Sequence, residues 1–274
     1  MKITDFKNKQ EPIVCLTAYT APMAQIADQY CDLLLVGDSV SMVLYGEDST
    51  QKADMQMMIR HGRAVAKHAN DALVIVDMPY CSYESSKEQA LQNATKIMQE
   101  CGCNGVKLEG GAMMAETIAY LTQNNVPVMG HIGLLPQSVD EGGAYKVQGK
   151  DLDGARDLMN DAKAVEAAGA FCYVIEAVPE SLAGAITAQS SVPTIGIGAS
   201  AACDGQILVT EDMIGMSDRK PPKFVKQYAH IHEEIKASIK QYADEVRKGS
   251  FPSHNNVYQD KQTVPQARKR ATGS

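Results

Sequence analysis

Hydrophobic positions along this chain fall into short, mostly unbroken runs, each followed by turn residues and then by a longer mixed stretch. The runs are Ile13 to Leu16, Leu33 to Val36, Leu73 to Val76, Gly105 to Leu108, Val126 to Met129, Phe171 to Ile175, Pro193 to Ile197 and Ile207 to Val209. Several lack polar alternation, which fits strands buried on both faces, as in a parallel sheet covered by helices. The intervening segments Ser85 to Glu100 and Leu152 to Ala168 are rich in Ala, Leu, Met, Lys and Glu. They have the length and composition of right-handed crossover helices. Eight such units in about 250 residues predict a closed (β/α)8 TIM barrel, with an open doubly wound sheet as the alternative.

Phe224, Tyr228, Ile231, Ile235, Ile239, Tyr242 and Val246 follow spacings of three and four. They predict a terminal helix whose apolar stripe packs on the barrel or on a neighbouring subunit. Arg247 and Lys248 suit its negative end before Gly249. The expected division is one catalytic domain over 1–254 and a flexible polar tail over 255–274. In that tail Arg268, Lys269 and Arg270 read as a solvated charged terminus.

Composition narrows the function classes. A hydrophobic fraction of 45% over 274 residues excludes wholesale disorder. No apolar run approaches the ~18 residues of a membrane span, and Met1 to Pro12 carries no hydrophobic signal core. The net charge of -7 argues against broad nucleic-acid or acidic-membrane binding, while leaving room for a local basic pocket. Seven cysteines, irregularly spaced and odd in number, do not make a disulfide framework and fit a reducing cytoplasm.

Ionisable groups recur just past the apolar runs: Asp38 with Ser39 after the second, Asp77 after the third, Lys107 and Glu109 in and after the fourth, His131 after the fifth, Glu176 after the sixth. In a parallel barrel these positions converge on the C-terminal rim, where active sites of this architecture lie. A single strand-end Asp is commonly only a helix cap; five such ends together weaken that explanation. Asp38, Asp77 and Glu109 offer hard oxygen donors with few soft ligands nearby, which favours Mg²⁺, with Glu109 able to act through water. Such a centre would chelate a 2-oxo acid and stabilise its enolate. Lys107 and Glu109 share a strand face, so Lys107 is expected to meet a substrate carboxylate, to pair with Glu109, or to serve as a Schiff-base lysine. Glu176, past a strongly apolar strand, is a candidate general base, and His131 a candidate to orient substrate or shuttle a proton. The string Gly196 to Ala201 loosely matches a dinucleotide fingerprint, but Asp204-Gly205 interrupts the helix that would receive a pyrophosphate. Its glycines are read as allowing close ligand approach near the seventh and eighth strands.

Several strings together resemble the ketopantoate hydroxymethyltransferase family. They are Leu35-Val36-Gly37-Asp38-Ser39, Asp48-Ser49-Thr50, Val106-Lys107-Leu108-Glu109-Gly110-Gly111, Gly130-His131-Ile132-Gly133-Leu134, Pro136-Gln137-Ser138-Val139, Tyr145-Lys146-Val147-Gln148-Gly149, Ile195-Gly196-Ile197-Gly198-Ala199 and Asp204 to Val209. The likeness runs in order from about Thr17 to Pro252. It implies a barrel of the phosphoenolpyruvate/pyruvate type, assembled as a homo-oligomer, commonly a decamer. It also implies one-carbon transfer from 5,10-methylenetetrahydrofolate to 3-methyl-2-oxobutanoate, giving 2-dehydropantoate on the route to pantothenate and coenzyme A. By the same resemblance Asp38, Asp77 and Glu109 match the Mg²⁺ site, Asp38, Ser39, Asp77 and Lys107 the oxo-acid contacts, and Glu176 the proton acceptor. Ser41, Ala144 and Ser200 stand where the family often has Gly; together they are expected to reshape the folate-facing loops, with Ser41 and Ala144 restricting backbone angles that Gly permits. The competing readings are a metal-dependent lyase or mutase on the same barrel, and a non-catalytic binding scaffold.

Overall fold

The computed structural model describes residues 2–139, 146–218 and 220–259. Eight parallel strands close into a barrel in sequence order: β1 (Ile13–Thr17), β2 (Leu33–Val36), β3 (Leu73–Asp77), β4 (Gly105–Lys107), β5 (Val128–Gly133), β6 (Cys172–Glu176), β7 (Thr194–Ile197) and β8 (Gly205–Leu208). β8 returns to β1 with Ile13 beside Gly205 and Cys15 beside Ile207. The (β/α)8 class is the one expected from the run spacing, and the open sheet is excluded by that closing pair.

Two apolar layers hold the barrel. Alternate strand residues point inward, among them Ile13, Leu33, Leu35, Ile75, Val174, Ile195 and Ile207, and Phe6 from the helix Ile3–Lys7 joins them. Phe6 meets Phe171 edge to face at 5.8 Å. The other strand face packs on helices: Leu34, Val74, Val76 and Val106 lie in one cluster with Met58, Ile97, Leu121 and Ile186. The predicted crossover helices form over Lys87–Cys101 and Leu152–Ala167. Ser86 and Asp151 cap them by accepting from the N–H groups of Gln89 and Gly154.

Three elements start away from the sequence expectation, β8 among them: it begins at Gly205, not Ile207, because Gly205 and Gln206 already pair with Ile13 and Val14 of β1. β5 begins at Val128, not Val126, and runs on to Gly133. The Val126 N–H is used by the carbonyl of Leu121 at the preceding helix end, and Pro127 has no N–H to give a ladder. The terminal helix spans Ile231–Lys248 and excludes Phe224 and Tyr228. Before it, the N–H groups of Tyr228, Ile231 and His232 donate to the carbonyls of Met213, Ile214 and Gly215, so this stretch docks on the turn after β8 instead of extending the helix.

The stripe of that helix does not pack on the barrel. Ile239 is 62% exposed, and no residue of the helix is buried. The helix after β8 is only Thr210–Met213, and the outer face of β1 is correspondingly bare, with Val14 46% exposed. No helix among the described residues is long and apolar enough to cross a membrane. The charged stretch Arg268 to Arg270 and most of the proposed tail lie outside the described residues.

Candidate active site at the C-terminal rim of the barrel

β3 ends in Asp77, and β2 and β4 are each followed two residues on by Asp38 and Glu109, so the three strands deliver acidic groups to one rim. The backbone N–H of Asp38 donates to Asp77 Oδ2 at 3.0 Å, joining the ends of β2 and β3. Gly37 makes room for this approach: a Cβ there would stand 2.8 Å from Ser39 Oγ and 3.6 Å from Asp77 Oδ2. Asp77 pairs in register with Lys107 on β4, which brings Lys107 Nζ to 3.0 Å from Asp77 Oδ1. The buried partner of Lys107 is therefore Asp77 on the next strand, not Glu109 on its own. Ser39 Oγ lies 2.8 Å from the Tyr19 hydroxyl.

His131, inside β5, links the two sides of the mouth. Its Nδ1 is 3.4 Å from Glu109 Oε1 and its Nε2 is 3.2 Å from Glu176 Oε2. The Glu176 side chain stays 16% exposed, while Asp38, Asp77, Lys107, Glu109 and His131 are buried. Ala177, the residue after Glu176, has φ 48, a strained value for a residue with a Cβ. It is held by its N–H to the carbonyl of Ile197 and by its carbonyl, which accepts from the Gln148 N–H. All six predicted site residues besides Ser39 thus form one connected cluster, and Ser39 borders it.

The charges are unevenly balanced. Burial, then repulsion from Asp77 and Glu109, pushes the Asp38 carboxyl well above the usual range, against the pull of Lys107 and Gln137. Burial also raises Asp77, with Lys107 offsetting part of the effect. Glu109 goes the other way: burial is outweighed by His131, Lys107 and the Gln137 N–H. Burial and Lys107 would lower His131, yet Glu109 and Glu176 bring it up to about 9. Lys107 is raised despite burial, through Asp77, Glu109 and Asp38. Held at 3.0 Å from Asp77 Oδ1 in a buried pair, Lys107 Nζ is placed as a charged partner of carboxylates and not as the neutral amine that a Schiff base needs. Four carboxyl groups thus face two cationic side chains, an excess that suits a divalent cation, and their oxygens are the hard donors Mg²⁺ takes. Among the described residues, no three His, Cys, Asp or Glu side chains converge closely enough to ligate one ion together. Glu109 is turned away by its contacts: Oε2 accepts from the Gln137 N–H at 3.0 Å and Oε1 faces His131.

Other expectations meet different outcomes. Gly198, with φ +59, does not present open backbone to a ligand; the Phe224 ring lies 2.8 Å from where its Cβ would be. β7 runs by a turn into β8 with no helix between them, so no pyrophosphate site follows the glycines. Ser41 is not at a positive φ. It lies within the helix Val40–Leu44, where its single hydroxyl proton is shared between the carbonyls of Asp38 at 2.8 Å and Ser49 at 3.0 Å. Ser200 likewise keeps φ negative, and its Oγ accepts from the Ala202 N–H. Ala144 lies outside the described residues. Sequence reasoning missed Gln137 and Tyr83, both buried among the carboxylates, because neither is charged nor ends a strand.

The fold by itself is shared with enzymes of different chemistry. A structure of phosphonopyruvate hydrolase in complex with oxalate and Mg²⁺ superposes with a TM-score of 0.60 at 12% identity, covering 93% of each chain. A 2,3-dimethylmalate lyase of the PEP mutase/isocitrate lyase superfamily gives 0.60 at 12% identity, covering 96% of this chain and 90% of that one. Sequence decides among them: the family model of ketopantoate hydroxymethyltransferase matches residues 1–254. The chain belongs to that family. A 3-methyl-2-oxobutanoate hydroxymethyltransferase from Chelativorans sp. (strain BNC1) is 54% identical over 249 residues, 91% of this chain and 88% of the relative. One from Rhizobium rhizogenes (strain K84 / ATCC BAA-868) is 51% identical over 250 residues, 91% of this chain and 92% of the relative. The chain is accordingly a transferase that places a hydroxymethyl group on 3-methyl-2-oxobutanoate, a step of pantothenate synthesis.

Proposed function

We propose that the rim performs this transfer by enolising the oxo acid, with Mg²⁺ as resident ion and 5,10-methylenetetrahydrofolate as one-carbon donor, forming 2-dehydropantoate. The reading is carried by the convergence of Asp38, Asp77, Lys107, Glu109, His131 and Glu176, with the 3.0 Å Lys107–Asp77 pair on one side and Glu176 on the other. Asp38 and Asp77 would hold the ion directly and Glu109 through water, in keeping with its two engaged oxygens. When bound, the ion would supply Lewis-acid stabilisation to the ketone oxygen as negative charge grows there. Lys107 and Ser39 hold the substrate carboxylate, and Lys107 keeps its charge through its own pairing with Asp77. Glu176 accepts the proton from the branched carbon, and His131 fixes its carboxylate. The carbon nucleophile then bonds to the methylene carbon of the folate iminium. Water cleaves the bond from that carbon to the folate nitrogen, leaving the hydroxymethyl group and tetrahydrofolate.

Two wider properties belong to the same proposal. The chain self-associates, with the stripe Ile235, Ile239, Tyr242 and Val246 and the bare outer face of β1 as the apolar surfaces to be covered. It works in the cytoplasm, where its seven cysteines stay reduced.

The test is formation of 2-dehydropantoate from 3-methyl-2-oxobutanoate with Mg²⁺ and the folate each supplied or omitted. Product requiring both is the expected result. No 2-dehydropantoate with both supplied, together with cleavage of a 2-hydroxy acid instead, would move the chain to a lyase-type chemistry.

A further inference from the structure

Gln137, on the loop after β5, is 2% exposed, and its polar groups are all engaged. Its backbone N–H donates to Glu109 Oε2 at 3.0 Å, and its carbonyl accepts from Gln51 Nε2 at 2.8 Å. The side-chain Nε2 donates to Asp38 Oδ2 at 2.8 Å and to the carbonyl of Met78 at 2.9 Å. The side-chain Oε1 accepts from the Tyr83 hydroxyl at 2.5 Å. One residue thereby ties together the loops after β2, β3 and β4.

Donor and acceptor chemistry fixes the polarity of this chain of bonds. The Tyr83 oxygen accepts from the Glu109 N–H at 3.2 Å, so its single proton is free to go to Gln137 Oε1. An amide turned the other way would set its oxygen against the Met78 carbonyl, which can only accept, and leave that carbonyl without its donor. The NH2 group is therefore held on Asp38. A glutamine that merely closed a loop would bond backbone groups; this one also binds carboxylates from the loops after β2 and β4, Asp38 through its side-chain amide and Glu109 through its backbone N–H.

We propose that Gln137 is a positioning residue for cation binding at the rim: it holds Asp38 and Glu109 in fixed relative orientation, and Tyr83 sets its polarity. This inference rests on the metal reading given above. Partners of this kind commonly govern metal affinity by about 10- to 100-fold.

Mn²⁺ titrated into the full chain, with free Mn²⁺ read by its electron paramagnetic resonance signal, tests it without recourse to turnover. Thermal unfolding of each metal-free variant is recorded alongside. Gln137→Met keeps the length and removes both amide donors, and is expected to weaken Mn²⁺ binding by about 10- to 100-fold. Tyr83→Phe keeps the amide and frees it to turn, and is expected to weaken binding by a smaller factor while the chain stays folded. If Gln137→Met does not fold, Tyr83→Phe carries the test. Asp38→Asn separates the two levels: Mn²⁺ binding lost in Asp38→Asn but within about twofold of wild type in both other variants, whatever their unfolding midpoints, overturns the positioning role alone. Absence of rim binding in the wild-type chain overturns the metal reading and this inference with it.

Discussion

At the scale of single residues, the acidic rim was legible because each strand-end charge stands beside an apolar run that dates it to one end of the barrel. Asp38, Asp77, Lys107, Glu109, His131 and Glu176 could be gathered in this way before any contact was seen. Their pairing could not: whether Lys107 meets Glu109 or Asp77 depends on the register between β3 and β4, which no local spacing encodes. Gln137 stands in the sequence only as part of the string Pro136 to Val139 and Tyr83 not at all, since neutral loop residues gain a role only from the carboxylates that surround them. Glu211, at the head of the helix after β8, was overlooked likewise. It is buried, its Oε2 has no hydrogen-bond partner, and burial with a contribution from Asp212 lifts its carboxyl to about 7. A carboxyl raised in the folded state binds protons there that the unfolded chain has already released, so its contribution to stability falls as pH rises from the ordinary glutamate range through about 7. Glu211→Gln is expected to stabilise the chain at pH 8 by on the order of 2 kcal/mol and to change little near pH 4.5, as urea unfolding at the two pH values would show.

At the scale of elements, six strands start within one residue of their expected places because continuous apolar runs bounded by turn residues leave little freedom, while β8 starts early because Gly205 and Gln206 pair with β1. β5 shifted because Pro127 and the helix end before it claim the first two residues of the run. The terminal helix started late because the chain ahead of it found carbonyl partners on the turn after β8, a tertiary alternative that periodicity cannot register. Ser41 carries a similar lesson: a residue expected to strain its backbone instead welds the loop after β2, through the Asp38 and Ser49 carbonyls. Ser41→Gly should therefore destabilise the chain, by on the order of 1–2 kcal/mol from the lost buried hydrogen bonds and the helix penalty of glycine. Chemical unfolding checks this; a variant as stable as wild type would show that the hydroxyl holds nothing that matters.

At the scale of the whole molecule, the barrel does two things for the chemistry. It buries three carboxylates, a lysine and a histidine in a mouth where their mutual fields are little screened, and it leaves Glu176 at the edge with partial access to solvent. It also leaves an apolar helix stripe and the outer face of β1 uncovered. Ile239→Glu combined with Tyr242→Glu is expected to shift the chain toward smaller species in sedimentation velocity, with the barrel still folded. An unchanged sedimentation coefficient would mean that association, if any, uses another face.

If the rim enolises its oxo acid with Glu176 taking the proton, deuterium from heavy water enters the branched carbon of 3-methyl-2-oxobutanoate even without folate, and that exchange is the measurement to make. Wild type is expected to exchange that hydrogen when Mg²⁺ is supplied and to stop when the ion is chelated. Glu176→Gln should lose at least about 100-fold of the exchange rate, the usual scale for removing a positioned base. Exchange at the wild-type rate in Glu176→Gln would contradict the account.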